Sequence, residues 1–184
     1  MDGSERLRLF CGLPLPDDVV ERIVPWQLRE LPAGRVVPPE NLHVTLAFLG
    51  SQAPGNVGAI TAALQESAGS AEPPCLRVRG YRETRSVGML TFDDEGGRAT
   101  SLAERLHGAL EELGLYRRED RPWLAHLTVL RFRNQPRGFR ERPRLKPELP
   151  ELGPVVPSDA AVFISRLRPS GAVYEAVEVV ALGG

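Results

Sequence analysis

Lysine is almost absent from this chain: Lys146 stands alone beside 22 arginines in 184 residues. The shortage excludes several kinds of chemistry. No lysine follows a glycine-rich stretch, so there is no phosphate-binding loop of the Gly-Lys-Ser/Thr type. A nucleotidyl-transferring ligase or a Schiff-base enzyme would have to use Lys146. That residue lies in Pro143-Arg144-Leu145-Lys146-Pro147, a poor setting for a desolvated catalytic amine. Cysteine is nearly as scarce: Cys11 and Cys75 lack metal-ligand spacing and read as reduced thiols. No apolar run approaches the ~20 residues that span a bilayer. The segment Met1 to Arg6 is too charged to open a secretory signal, so a cytoplasmic protein without membrane contact is expected. A net charge of -1 removes the footprint of a whole-molecule nucleic-acid binder, and any basic surface must be local.

Histidine is scarce too, and its distribution is informative. Two of the three histidines occupy near-copies of one tetrapeptide, His43-Val44-Thr45-Leu46 and His126-Leu127-Thr128-Val129. Each copy sits in a short apolar run rich in β-branched residues, which reads as a strand. Side chains two apart on a strand share a face, so His43 projects with Thr45 and His126 with Thr128. A matched pair of this kind suggests two half-sites converging on one ligand. The third histidine, His107, falls on an amphipathic helix and reads as surface or satisfied core.

The rest of the chain reads as an α+β domain over 1–184. An alternating strand, Arg6 to Leu13, precedes a helix opening at Leu15-Pro16-Asp17-Asp18 with Asp at the N-cap, expected to end or kink near Pro25. Leu28 and Leu31 could extend its apolar face. After the first His strand, helical spacing runs from Asn56 to about Ser67. Two strands follow, Leu76–Tyr81 and Ser86–Phe92. The next helix spans Arg98 to Leu113, with Leu102, Leu106, Leu110 and Leu113 on one face and Gly114 behind it. Beyond the second His strand, 136–157 carries six prolines and reads as a Pro/Arg-rich loop. Ala161–Leu167 and Val173–Leu182 close the chain as strands around Pro169-Ser170-Gly171. A strand and a helix precede each His strand, as two related lobes would require.

Two histidines facing one pocket suit general acid-base catalysis, one neutral and one protonated near neutral pH. The two threonine hydroxyls add uncharged donors for an anion's oxygens. Arg131, three residues past Thr128, adds a permanent cation with a planar fork suited to phosphate. Such a site is equipped for in-line attack at a phosphodiester without cofactor or metal. No carboxylate lies at i±2 of either motif, and no third His or Cys has ligand spacing.

The two motifs, their order and their separation resemble the two-histidine (2H) phosphoesterase superfamily. Within it the chain is most similar to the RNA 2′,3′-cyclic phosphodiesterase family, also called 2′-5′ RNA ligase. Further stretches carry that similarity: Arg8-Leu9-Phe10 with Leu15-Pro16, Pro39 to Gly50, His126 to Arg131, Ser165-Arg166-Leu167, and Gly171 to Tyr174. The family has Pro before the second histidine, where this chain has Ala125. The resemblance implies a bilobal fold of two pseudo-symmetric lobes, each an antiparallel sheet with outer helices, and an active site in the cleft between them. It implies His43 as general acid at the ribose O3′ and His126 as general base on water, with Thr45, Thr128 and Arg131 on the phosphate. The substrate would be RNA with a 2′,3′-cyclic phosphate end, tRNA among the candidates, and the enzyme a monomer. An ATP-independent 2′-5′ (tRNA-half) ligase and a noncatalytic RNA-end binder are the competing readings.

Phe48 is a base-stacking candidate on the same resemblance, yet strand parity turns it away from His43 and Thr45 unless the strand bulges. Arg131, Arg133, Arg137, Arg140, Arg142, Arg144 and Lys146 stand against one acid, Glu141, and are equally consistent with an RNA-backbone guide and a solvated loop. Arg77, Arg79, Arg82 and Arg85 read as ordinary surface, and Trp26 and Trp123 as packing residues. Tyr174 follows a turn that brings it towards the cleft.

Overall fold

Strand β1 (Leu7–Pro14) leads into helix α1 (Asp17–Glu30), the short strand β2 (Arg35–Val36) and the first His strand, β3 (His43–Gln52). Helix α2 (Val57–Ala68), the hairpin β4 (Cys75–Glu83) and β5 (Val87–Glu95), and helix α3 (Arg98–Glu112) come next. The second His strand, β6 (His126–Arg131), and the closing hairpin β7 (Asp159–Arg168) and β8 (Gly171–Ala181) complete the order. The structure is a computed structural model and describes residues 6–32, 34–132, 144–169 and 171–183.

The eight strands among the described residues lie in one antiparallel sheet of order β4-β5-β6-β3-β1-β7-β8, with β2 beside β6. Its two halves meet weakly. β3 and β6 share one residue pair, Val44 with Leu127, whereas β3 pairs with β1 along its length and β6 with β5. The sheet therefore divides into a β3-β1-β7-β8 lobe and a β4-β5-β6 lobe hinged on that pair, the expected bilobal α+β architecture. Helices α2 and α3 pack on each other, α2 against β7 and β8, and α3 against β3 and β5. α1 lies under the other lobe, where its Gln27 side chain bonds to Val37 and Val129 carbonyls.

α1 departs from the sequence expectation at both ends. Its N-cap is Pro16, whose carbonyl accepts from Val19 and Val20 N–H, while Asp17 and Asp18 occupy the first turn and face the helix dipole. The helix also runs through Pro25 to Glu30. An interior proline costs about 3 kcal/mol, but Val19, Ile23 and Trp26 are buried around it and each contributes roughly 1.5–3 kcal/mol. Burial wins. Leu28 does not continue the apolar face, being 71% exposed, whereas Leu31 is buried. In α3, Leu102, Leu106 and Leu110 are buried as expected, and Leu113 is half exposed past the last turn.

The described part of the Pro/Arg-rich segment, 144–157, has no helix and only a one-residue bridge, Val155 to Leu76. It is an anchored loop: Leu152 and Val155 enter the core, and the Glu148 carbonyl accepts from Trp26 Nε1 at 2.7 Å. Arg133, Arg137, Arg140, Arg142 and Glu141 lie outside the described residues. Arg77 pairs with Glu95 and Arg79 with Asp93, ordinary surface as expected.

Because α3 packs on strands of both lobes, the lobes are expected to unfold together. Leu106→Ala should lower stability by about 2–5 kcal/mol in a single urea transition followed by both tryptophan fluorescence and circular dichroism. Two separated transitions would contradict one cooperative domain.

Candidate active site

The Val44–Leu127 pair joins the middle residues of the two His-x-Thr motifs. In an antiparallel ladder, that register sets His43 across from Thr128 and Thr45 across from His126. By strand parity the four side chains share one sheet face; His43, Thr45 and Thr128 line a hollow there, and His126 is not among its lining residues. The six residues from each histidine onward also follow one burial pattern: partly exposed, buried, partly exposed, buried, buried, exposed.

The consecutive buried residues in that pattern mark a bulge in each strand. On β3, Cys11 pairs with Ala47 and Gly12 with Thr45, leaving Leu46 unpaired by β1. On β6, Gly88 pairs with Leu130 and Met89 with Thr128, leaving Val129 unpaired by β5. An extra residue in a strand reverses the parity beyond it. Phe48 and Arg131, each three past its threonine, are returned to the face that carries the motifs. Both line the cleft with His43, Thr45 and Thr128, in a hollow of about 290 Å³ whose described lining contains no carboxylate. The parity objection to Phe48 is removed by the bulge: the ring is 50% exposed, and the Arg8 guanidinium lies 4.8 Å from its centroid.

The histidines are held alike on one side and differently on the other. His43 Nδ1 donates to the Asn41 carbonyl at 2.8 Å, and His126 Nδ1 donates to the Leu124 carbonyl at 2.9 Å. A carbonyl only accepts, so each neutral ring carries its proton on Nδ1 and presents Nε2 as the working nitrogen. His43 Nε2 lies 3.0 Å from Thr45 Oγ1, and His126 Nε2 has no protein partner among the described residues. The His43 ring stacks on Phe10 at 4.6 Å and meets the Tyr174 ring edge-on at 5.3 Å. Gly12 permits this approach, since a Cβ there would stand 3.2 Å from His43 Cδ2 and 3.1 Å from the Val44 oxygen.

Burial of that ring lowers the His43 pKa from 6.5 to about 4, with smaller contributions from the Arg131 and His126 charges, partly opposed by the Asn41 bond. The free site therefore holds His43 neutral at pH 7. Tyr174 reaches the cleft, its hydroxyl 3.5 Å from Arg131 Nη2. Across the β2–β6 ladder Arg35 stands opposite Arg131, a pairing of like charges. Among the described residues no cluster of three His, Cys, Asp or Glu can hold a metal ion.

Sequence reasoning passed over Asn41, Phe10 and Arg8. Asn41 fixes His43 through its backbone and ties the start of β8 through Nδ2, which donates to the Ala172 carbonyl at 2.7 Å. Its adjacency to the motif was the available signal. His107 is satisfied core, its Nε2 donating to the Leu46 carbonyl at 2.8 Å. Trp123 is a packing residue that also donates from Nε1 to the Thr45 carbonyl at 3.1 Å.

Because the folded state depresses the His43 pKa, the unfolded chain takes up its proton first as pH falls. The stability contributed by this site is complete above 6.5 and is lost progressively towards about 4. In the unliganded protein, the His43 ring should titrate by NMR with a midpoint near 4. A midpoint at or above 6.5 would contradict the buried neutral ring.

Comparison with known proteins agrees with this geometry. Residues 13–86 match the family described as LigT like Phosphoesterase. A protein of Escherichia coli (strain K12) named RNA 2′,3′-cyclic phosphodiesterase is 32% identical over 146 residues, which cover 70% of this chain and 73% of that one. An Archaeoglobus fulgidus protein of the same name is 30% identical over 135 residues, covering 70% and 74%. Among solved structures, TT0787 of Thermus thermophilus matches with a TM-score of 0.79 at 29% identity, over 97% of this chain and 99% of that one. Escherichia coli LigT in apo form shares the fold, with a TM-score of 0.78 at 24% identity over 98% and 100%. On its paired motifs, its two-lobed sheet and these relatives, the chain belongs to the LigT-like phosphoesterase family.

Proposed function

We propose that this protein hydrolyses 2′,3′-cyclic phosphates at RNA ends, leaving a 2′-phosphate and a free 3′-hydroxyl. The observation that carries the reading is the pairing of two His-x-Thr motifs, antiparallel and in register, on the face that also bears Arg131. The names of the two relatives supply the RNA cyclic phosphate.

The cyclic phosphate sits among the four motif side chains, its free oxygens held by Thr45, Thr128 and Arg131. His126, with an unpartnered Nε2, takes a proton from water as the water oxygen attacks phosphorus. The P–O3′ bond breaks, and His43 gives its Nε2 proton to the departing O3′. The threonine hydroxyls and the Arg131 fork stabilise the charge added in the transition state. The base extends towards Phe48 and Arg8. Return of protons through solvent restores the site, and no metal or cofactor takes part.

His43 can serve as the acid only if the complex protonates it. The substrate's anionic phosphate does so: a negative charge beside the ring favours the imidazolium against the burial that chiefly disfavours it, and offsets the smaller Arg131 and His126 contributions. Proton and substrate therefore bind together. The protein acts as a monomer in the reducing cytoplasm, where Cys11 and Cys75 remain free thiols. Among the described residues no helix is long and apolar enough to cross a membrane.

In EDTA, a cyclic-phosphate-ended oligonucleotide should be opened at the wild-type rate. His43→Ala and His126→Ala should each lose on the order of 10²–10⁴-fold in kcat. Turnover that needs added metal, or that survives both substitutions, would sink the mechanism. The rate limb assigned to His43 should also fall at higher pH in kcat than in kcat/KM, since the first reports the complex and the second the free enzyme. The opposite order would transfer the acid role to His126.

A further inference from the structure

Each bulge leaves one residue unpaired by a neighbouring strand, Leu46 by β1 and Val129 by β5, and in each lobe a buried polar side chain from a helix meets that residue's carbonyl. His107 of α3 donates from Nε2 to the Leu46 carbonyl at 2.8 Å. Gln27 of α1 donates from Nε2 to the Val129 carbonyl at 2.8 Å. These two side chains are 5% and 2% exposed, among the few polar residues in the core. Burying an amide or imidazole is costly unless its hydrogen bonds are made, so their placement calls for a reason. Both reach the corresponding residue of the duplicated half-site, the one after the threonine.

We infer that Gln27 and His107 are positioning residues for the active site: each pins the bulge that turns the third residue past its threonine into the cleft. His107 thereby places Phe48, and Gln27 places Arg131. Without the bulge, strand parity would send both side chains to the helix-covered face. The bulged residue is unpaired by β1 in one lobe and by β5 in the other, and a buried carbonyl left unsatisfied would favour slipping back into the ladder. The donor removes that incentive. The hold differs in the two lobes, because the Val129 carbonyl also accepts from Val37 N–H at 3.0 Å. Residue 131 is therefore doubly secured, while residue 48 depends on His107.

The inference rests on the reading of Arg131 as phosphate ligand and Phe48 as base platform, and it separates the two. Four quantities test it: thermal stability, affinity for inorganic phosphate by calorimetry, and KM for a nucleoside 2′,3′-cyclic phosphate and for 1-O-methylribose 2′,3′-cyclic phosphate, which has no base. His107→Met removes the donor at similar volume. It should raise KM for the nucleoside substrate by about tenfold and leave phosphate affinity and the base-free KM within about twofold. Gln27→Met should weaken phosphate by about threefold, since Val37 N–H stays in place, and raise both KM values together. His107→Gln, which gives the first lobe the donor used by the second, should restore the nucleoside KM. His107→Asn and Gln27→Asn retain a withdrawn donor and should show the same split at smaller size, so the test survives a methionine variant that does not fold. Proportional losses on every ligand, or folded donor-free variants with wild-type values, would overturn the inference. A wild-type protein that opens neither cyclic phosphate would instead refute the proposed function, and phosphate affinity in the Gln27 variants would still report on the bulge.

Discussion

The site depends on how little of β3 touches β6. Two strands paired along their length would lay both motifs on a flat sheet, with no hollow for a ligand. Here the ladder narrows to Val44 and Leu127, and the lobes diverge on either side. That one pair fixes the register that brings His43 to Thr128 and Thr45 to His126. A one-residue slip would turn a whole motif to the opposite face. The heavy burial of the alternate residues, Val44 and Leu127 at 0% and Leu46 at 1%, makes such a slip expensive. Core packing on the helix side thus sets the chemistry on the other.

Electrostatics follow from the same layout. The cleft gathers Arg8, Arg131 and His43 in a described lining that has no carboxylate, so an arriving anion is the missing countercharge. The depressed His43 pKa, due first to burial, carries a smaller contribution from that imbalance in the empty site. The opposition of Arg35 and Arg131 across a ladder is another expression of it. Groups that repel one another in the free protein are held in place by backbone carbonyls and aromatic packing, preorganised for charge they do not yet carry.

Much of this was legible in the sequence, and the failures share a cause. A two-residue period is local, so the partnership of each histidine with its threonine could be read from three positions. A bulge is not local: whether Leu46 pairs with β1 depends on a strand more than thirty positions upstream, so parity alone pointed Phe48 the wrong way. The same objection applied to Arg131 and is answered by the matching bulge at Val129. Gln27 gave no signal, since its acceptor lies 102 positions along the chain. Proline at position 25 was read by its local cost, whereas the burial of Ile23 and Trp26 that offsets it is tertiary. The Pro-rich segment reads as loop because it lacks periodicity; the burial of Leu152 and Val155 that fastens its described part to the core is tertiary and left no local sign.

The near-symmetry of the two half-sites has a consequence for regiochemistry. Four side chains related by a twofold axis would accept a cyclic phosphate equally well either way round. Acid and base would exchange roles, and the ring would open at O2′ as often as at O3′. The skeleton cannot choose between these isomers. The choice falls to what differs between the half-sites: an aromatic ring at 48 against a guanidinium at 131, and the Phe10 and Tyr174 rings packed on His43. Unlike neighbours on a duplicated backbone turn a symmetric cradle into a directional one.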